Sequence, residues 1–247
     1  MKLLATFSSL FSIILLGSRL ACAQSAEHAM PQPAAAQLQQ QYAQSSIDYP
    51  VLYNGPEYGD YTAKYHTRDG HPFFLQPDVQ TGTLRYQEHD FANVRLQYDL
   101  VLDQVVLNQP NGTLRLRLLN EKVQAFTIDQ HSFVRLVPDS ASAAVMRAGY
   151  YEVLAEGPVQ VLARRSKRLQ EHLNLPYIDV EFVASNRLLM QQGGHYFAIG
   201  SKRAALRLLA GHTREVQQYL KAQQLRFGRA QLENSVVALA RYYNSLP

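Results

Sequence analysis

The stretch VRLQYD (residues 94–99) alternates apolar and polar side chains. A period of two turns one set of side chains to a core and the other to water, which is the pattern of a half-buried β-strand. We therefore expect the three apolar side chains inside and Arg95, Gln97 and Asp99 on a wet face.

The same alternation recurs along the chain, at residues 84–86, 114–118 and 178–182. Residue pairs typical of turns separate such stretches: Asp69-Gly70, His89-Asp90, Asp129-Gln130, Glu156-Gly157 and Gly193-Gly194. Spacings of about ten residues favour consecutive antiparallel hairpins over parallel βαβ units. The sequence predicts a mainly β (α+β) fold. Residues 49–200 would form an antiparallel meander of about eight to ten strands, in a curved sheet, a sandwich or a partly closed barrel.

The period changes after Gly200. A helix carrying Leu206 and Leu209 is expected first, and a second helix is expected to begin at Thr213. A third shows a one-sided apolar stripe at helical spacing, formed by Leu232, Val236, Leu239, Ala240 and Tyr243. We expect residues 201–247 to pack on the β domain. One more short helix is expected at residues 166–173, before Pro176.

The N-terminal residues have the features of a secretory signal. Lys2 precedes the apolar run Leu3–Leu16, and Ala21-Cys22-Ala23 supplies the small-x-small cleavage pattern. Residues 1–23 are thus expected to be a signal peptide, and residues 24–48 a flexible arm rich in Gln, Ala and Ser. The apolar run is shorter than the roughly 20 residues of a membrane span, so we expect no transmembrane segment in the mature chain.

These features predict an exported protein, periplasmic or secreted. Anchoring as a lipoprotein through Cys22 is the less favoured alternative, because Arg19 stands where such signals usually have Leu. Cys22 is the one cysteine of the chain, so the mature protein would have neither a disulfide nor a catalytic thiol. Without the signal, 22 Lys and Arg oppose 20 Asp and Glu, a balance too mild to indicate nucleic acid binding.

A resemblance adds to this interpretation. It is carried by Tyr53-Asn54-Gly55, Glu57-Tyr58, Val94–Leu107, Phe126-Thr127, Tyr150–Leu154 and the ending Tyr242–Leu246. Together these resemble a broad group of uncharacterised exported proteins of Gram-negative bacteria, with a β-rich body and C-terminal helices. The resemblance covers most of residues 50–246 and rests on strand and turn residues. It implies a compartment and an architecture, and because the group has no assigned activity it implies no site residues.

Two sets of charged residues are candidate sites. Asp179 and Glu181 share a strand face, as paired carboxylates do in glycoside hydrolysis, although a solvated surface pair has the same pattern. The basic run of Arg164, Arg165, Lys167 and Arg168 could hold phosphates of lipid A or an acidic polymer, or could simply be a wet strand end.

A third candidate is the cluster of His66, Asp69 and His71, since imidazole and carboxylate suit zinc. Arg68 would repel a cation there, Asp-Gly is also a common turn pair, and a further ligand would have to come from His89 or Asp90. No sequence motif for a catalytic serine, a zinc protease or a phosphate loop is present.

These observations favour an exported, non-catalytic cell-envelope protein that binds or scaffolds through its β domain. The expected partner is an anionic envelope component or another envelope protein, with no cofactor and no nucleic acid. The alternative is a hydrolase that acts on cell-wall or surface polysaccharide through paired carboxylates.

Overall fold

The computed structural model describes residues 51–109 and 114–247. The expected signal peptide, arm and lipid-anchor cysteine lie outside the described residues. The strands are β1 (Arg68–Asp69), β2 (Gln80–Tyr86), β3 (His89–Asp99), β4 (Gln104–Asn108), β5 (Arg115–Arg117), β6 (Val123–Ile128), β7 (His131–Leu136), β8 (Gly149–Ala155), β9 (Val159–Asn174), β10 (Tyr177–Gln192) and β11 (His195–Ile199). The helices are α1 (Lys202–Leu208), α2 (Thr213–Ala222) and α3 (Leu232–Asn244), with short 3-10 turns at Asn120–Lys122 and Ala210–His212.

The strands form two antiparallel meanders, β2–β5 and β6–β11, which are joined because β2 pairs with β6. The sheet runs in the order β1-β10-β9-β8-β7-β6-β2-β3-β4-β5, and β11 also pairs with β10. The predicted β-rich fold with C-terminal helices is confirmed. The predicted strand count was too low, since the described sheet has 11 strands. The sheet is mixed, because β1 runs parallel to β10.

The sheet does not close into a barrel, and one segment spans the gap between its ends. Glu57 forms a bridge with Leu116 of β5, and the backbone N–H of Tyr58 donates to the Arg115 carbonyl at 2.8 Å. Ten residues further along, β1 pairs with β10 at the other end of the sheet. Residues 57–69 therefore link β5 to β10.

The prediction of a helix at residues 166–173 is wrong. These residues belong to β9 and pair one by one with β10, from Ser166 opposite Ser185 to Leu173 opposite Ile178. Helix propensity is a weak preference that tertiary context overrides. Here the partner strand supplies a hydrogen-bonded ladder along the whole segment.

Two turns also differ from the expectation. The β2–β3 turn falls at Gln87 and Glu88, both with positive φ (51° and 65°), and the expected turn residue Asp90 lies in β3. Asp90 there pairs with Arg85 across the strands, at 2.8 Å between Oδ1 and Nε. Asp69, expected in a hairpin turn, ends the parallel strand β1.

The expected wet face of β3 is covered near its end. Gln97 and Asp99 are 4 % and 0 % exposed, because the segment that precedes β2 lies over them. Phe74 donates its N–H to the Tyr98 carbonyl at 2.8 Å, and the Tyr58 hydroxyl donates to Asp99 Oδ2 at 2.7 Å.

The helices cover one face of the sheet. Val161 and Met190 are buried on that face in one cluster with Val236, Leu239 and Ala240 of α3. The stripe expected on the last helix is therefore the side that faces the sheet. On the opposite face of the same strands, Leu162 and Leu189 pack in a separate cluster.

Leu239→Ala should lower the free energy of unfolding by about 2–5 kcal/mol, because it removes buried methyl groups and leaves a cavity. The measurement is urea denaturation at equilibrium. Leu173→Ala is the matched control, since Leu173 is 74 % exposed and Leu239 is fully buried. The control should stay within about 0.5 kcal/mol of wild type. Equal effects of the two substitutions would mean that α3 does not depend on packing against the sheet.

Candidate functional site

A cleft of about 570 Å³ lies where the start of α3 meets β10 and β11. Ligand pockets commonly measure roughly 300–1,000 Å³, so the cleft can hold a small molecule or part of a polymer. Its polar side chains include three arginines: Arg165, Arg187 and Arg229, with Asn186, Glu233 and Asn234. We call it the arginine cleft.

Arg165 forms the inner wall of the arginine cleft and is held there by two carboxylates. Its Nη1 and Nη2 donate to the two oxygens of Glu233 at 2.7 and 2.6 Å, and its Nε donates to Glu152. Burial by itself would lower the pKa of Arg165, but the bonds with Glu233 and Glu152 outweigh it and raise the pKa. Arg165 is thus a fixed cation, and each of its three side-chain nitrogens donates to a carboxylate.

The same network crosses the sheet. Glu152 of β8 is only 3 % exposed at its side chain, and its second carboxylate oxygen contacts Nδ1 of His131 on β7. Glu233 lies in the first turn of α3, where a carboxylate is favoured by the helix dipole. The network therefore ties α3 to three strands through Arg165 of β9.

Arg187 and Arg229 are the cations that remain for a ligand in the arginine cleft. Both side chains are exposed. Neither forms an ion pair with a carboxylate in the part of the chain that the structure describes.

The arginine cleft shares Arg229 with a strongly cationic segment of the chain. Residues 201–247 contain eight Lys and Arg against two Glu, a net charge of +6, whereas the whole chain carries +4. Residues 1–200 therefore carry −2. All eight cations are exposed: Lys202, Arg203, Arg207, Arg214, Lys221, Arg226, Arg229 and Arg241. We call these eight side chains the cationic helical layer.

No member of the cationic helical layer forms an ion pair with a described carboxylate. Of the two glutamates in the segment, Glu233 is bound to Arg165 and Glu215 is half-buried. The apolar stripes of the helices face the sheet, with Val216 and Leu220 of α2 buried, and the cations are exposed. Arg241 differs from the rest because it donates to the Leu154 carbonyl of β8 at 2.9 Å. Unpaired charges of one sign produce a positive potential that attracts polyanions.

The basic run expected to form one exposed patch does not do so. Arg164 bonds to Asp103 at 3.0 Å, and Arg165 is occupied as described. Lys167 donates through Nζ to the carbonyl oxygens of His71 and Phe73 at 2.7 and 2.9 Å. Three of the four cations therefore have structural partners, and only Arg168 is classed as exposed.

The paired carboxylates lie near the far end of the β9–β10 hairpin. Asp179 accepts hydrogen bonds from Asn174 and from the Thr67 backbone N–H, and these bonds lower its pKa. Glu181 lies 3.8 Å from Nε2 of His172, and both side chains are about half exposed. A glycosidase acid needs a raised pKa, so Asp179 in this setting does not suit the role of the acid.

The histidine cluster is split. His66 stacks on Tyr177 with ring centroids 4.2 Å apart, and Asp69 pairs through its backbone with Glu181. His71 instead lines a different cleft, beside Phe73. Across residues 51–109 and 114–247, no group of three His, Cys, Asp or Glu side chains is placed to hold a metal ion.

Sequence motifs did not indicate the side chains that form these surfaces, which are Arg187, Arg229 and the cationic helical layer. A count of charge by segment would have found the layer, because the contrast between residues 1–200 and 201–247 is present in the sequence. The arginine cleft itself depends on the pairing of β10 with β11 and on where α3 begins, which no local pattern encodes.

No protein-family model, curated protein or solved structure matches this chain. Over the described ranges, none of the helices combines the length and apolar character that crossing a bilayer requires.

Arg165→Met should lower the free energy of unfolding by about 3–5 kcal/mol, because it leaves the buried carboxylate of Glu152 without its cation. Arg187→Met changes another arginine of the same cleft that has no ion pair, and should stay within about 0.5 kcal/mol of wild type. Urea denaturation at equilibrium measures the free energy of unfolding of each variant. If the Arg165 variant were as stable as the Arg187 variant, the network would not fix α3 on the sheet.

Proposed function

We propose that the protein is an exported, non-catalytic component of the cell envelope that binds phosphate-bearing envelope lipid through the cationic helical layer. The observation that carries this proposal is the charge division of the chain. Eight exposed cations in residues 201–247 have no carboxylate partner among the described residues, while the rest of the chain is slightly acidic.

The form of the surface supports a lipid headgroup layer as the partner. Clusters of four to eight Lys and Arg on amphipathic helices are typical of proteins that bind anionic lipid surfaces. The three helices contribute buried side chains to the same cluster against the sheet, and their cations are exposed. A broad cationic side can meet many phosphates at once.

The arginine cleft supplies a more specific contact beside this surface. Arg187 and Arg229 border it without ion-pair partners, and the first turn of α3 is on its wall. Arg165, fixed by Glu152 and Glu233, keeps the wall of the cleft in place. A phosphate that enters the cleft would meet two cations that no carboxylate neutralises, Arg187 and Arg229.

The test is binding to vesicles that contain anionic phosphatidylglycerol in phosphatidylcholine, with purified lipopolysaccharide as a second surface. The variant carries Arg203→Glu, Arg207→Glu and Arg214→Glu. Each cation near an anionic membrane contributes about 1 kcal/mol, so removing three should weaken binding by at least about a hundredfold, and the three glutamates should add to the loss by repulsion. Raising the salt concentration should weaken wild-type binding, because exposed charges are screened over about 8–10 Å.

The matched control carries Arg117→Glu, Arg147→Glu and Arg168→Glu. These three arginines are exposed on the β domain, and the control changes the net charge by the same amount. It should bind the vesicles as wild type does. If both variants lose binding equally, only net charge matters and the helical layer is not the site; if neither loses it, the proposal fails.

A further inference from the structure

A second cleft, of about 270 Å³, lies where the two ends of the sheet approach each other. Arg115 of β5 lines it from one end, and Arg68 of β1 with Phe182 of β10 lines it from the other. The bridging segment and the loop after it add Tyr58 and Phe73. We call it the Arg115 cleft.

Arg115 has hydrogen-bonding capacity in this cleft that the described residues do not use. Its guanidinium lies over the rings of Tyr58 and Phe73, 4.6 and 5.4 Å from their centroids. Its Nε and Nη2 are buried and have no hydrogen-bond partner. These two donors form one side of the guanidinium, the side that binds a carboxylate through two parallel bonds.

The carboxylates near Arg115 already have other donors. Asp99 is fully buried; its Oδ2 accepts from the hydroxyls of Tyr58 and Tyr61 at 2.7 and 2.9 Å, and its Oδ1 accepts from the Val101 N–H at 2.8 Å. Asp60 accepts from Thr62 and from Arg68. Neither therefore provides the two acceptors that Arg115 lacks.

A second unpartnered atom lies in the same wall. Nδ1 of His71 is buried without a hydrogen-bond partner. Burial, together with the charge of Lys167, lowers the pKa of His71, which keeps the ring neutral near pH 7. Buried polar groups without partners are rare in folded proteins, and each one calls for an explanation such as a bound molecule.

We propose that the Arg115 cleft binds a small organic carboxylate, held by Nε and Nη2 of Arg115. Pro72, Phe73, Pro77 and Phe182 give the cleft apolar walls, which suit the carbon body of an organic acid. The neighbouring Asp60 and Asp99 would repel a doubly charged phosphate more than a singly charged carboxylate. The volume fits a single amino acid or sugar acid, free or at the end of a longer chain.

The guanidinium can reach such a ligand at little cost. Its contacts with Tyr58 and Phe73 are ring-face contacts. A guanidinium that slides over these faces towards the cleft breaks no hydrogen bond at Nε or Nη2. Because Nε and Nη2 are buried in the structure, binding requires the guanidinium to turn these two donors towards the cleft.

The test is the thermal midpoint of the full chain with N-acetylglycine or glucuronate, which carry a carboxylate on an amino acid and on a sugar. At a concentration of about 100 times its dissociation constant, a ligand that binds the folded protein should raise the thermal midpoint by roughly 5–10 °C. Arg115→Met should abolish this rise. Arg117→Met, at an exposed site on the same strand, should keep it.

The unliganded variants separate a binding role from a structural one. If Arg115 serves a ligand, Arg115→Met should melt at or above the wild-type midpoint, since it removes a buried charge with unused donors. A midpoint below that of wild type would mean that Arg115 serves to stabilise the fold through its packing, and would count against a binding role. The proposal is overturned if neither acid raises the wild-type midpoint, if neutral N-acetylglycinamide or inorganic phosphate raises it as much, or if Arg115→Met keeps the rise. A rise with one acid alone supports the proposal and identifies the source of the carboxylate.

Discussion

One largely buried cation links α3 to the sheet beside their apolar packing. Arg165 of β9 is held between Glu152, inside the sheet, and Glu233, in the first turn of α3. A buried ion pair adds little net stability compared with apolar packing, but losing one partner is costly, so such a pair fixes position. It also occupies one of the two glutamates of residues 201–247. The interaction that docks the helices thus leaves their outer surface almost without negative charge.

This arrangement divides the molecule into two chemical parts. The sheet supplies the structure, with an aromatic core around Tyr98, Phe126 and Phe133 and a long hairpin whose base is buried on both faces. The helices contribute their apolar stripes to the sheet and their cations to the outside. At the opposite ends of the sheet, β5 and β10 come close enough to line the Arg115 cleft together. A site there depends on the curl of the sheet and on the segment that spans its gap.

The sequence predicted which segments form strands and helices better than it predicted what those segments contact. Alternation placed Leu96 and Tyr98 inside correctly, and helical spacing did the same for Val236 and Leu239. Alternation failed for Asp99, because the segment before β2 covers that face of the strand. The helix prediction failed for residues 166–173, because a distant partner strand determines their conformation. The prediction of one exposed patch failed for the basic run, since neighbours on a strand point to opposite faces and meet different partners. Local patterns contain none of this long-range information.

The most direct test of the central claim, that the helical layer is the binding surface, is hydrogen–deuterium exchange of the full chain with and without anionic vesicles. Slow-exchanging amides in the core of α3 are uninformative, so the readout is the exposed helix ends and the connection between α2 and α3, which carries Arg226 and Arg229. The account predicts that vesicles slow exchange in residues 201–247 and leave the turns of β2–β5 unchanged. Protection of those turns, with unchanged exchange in residues 201–247, would contradict it.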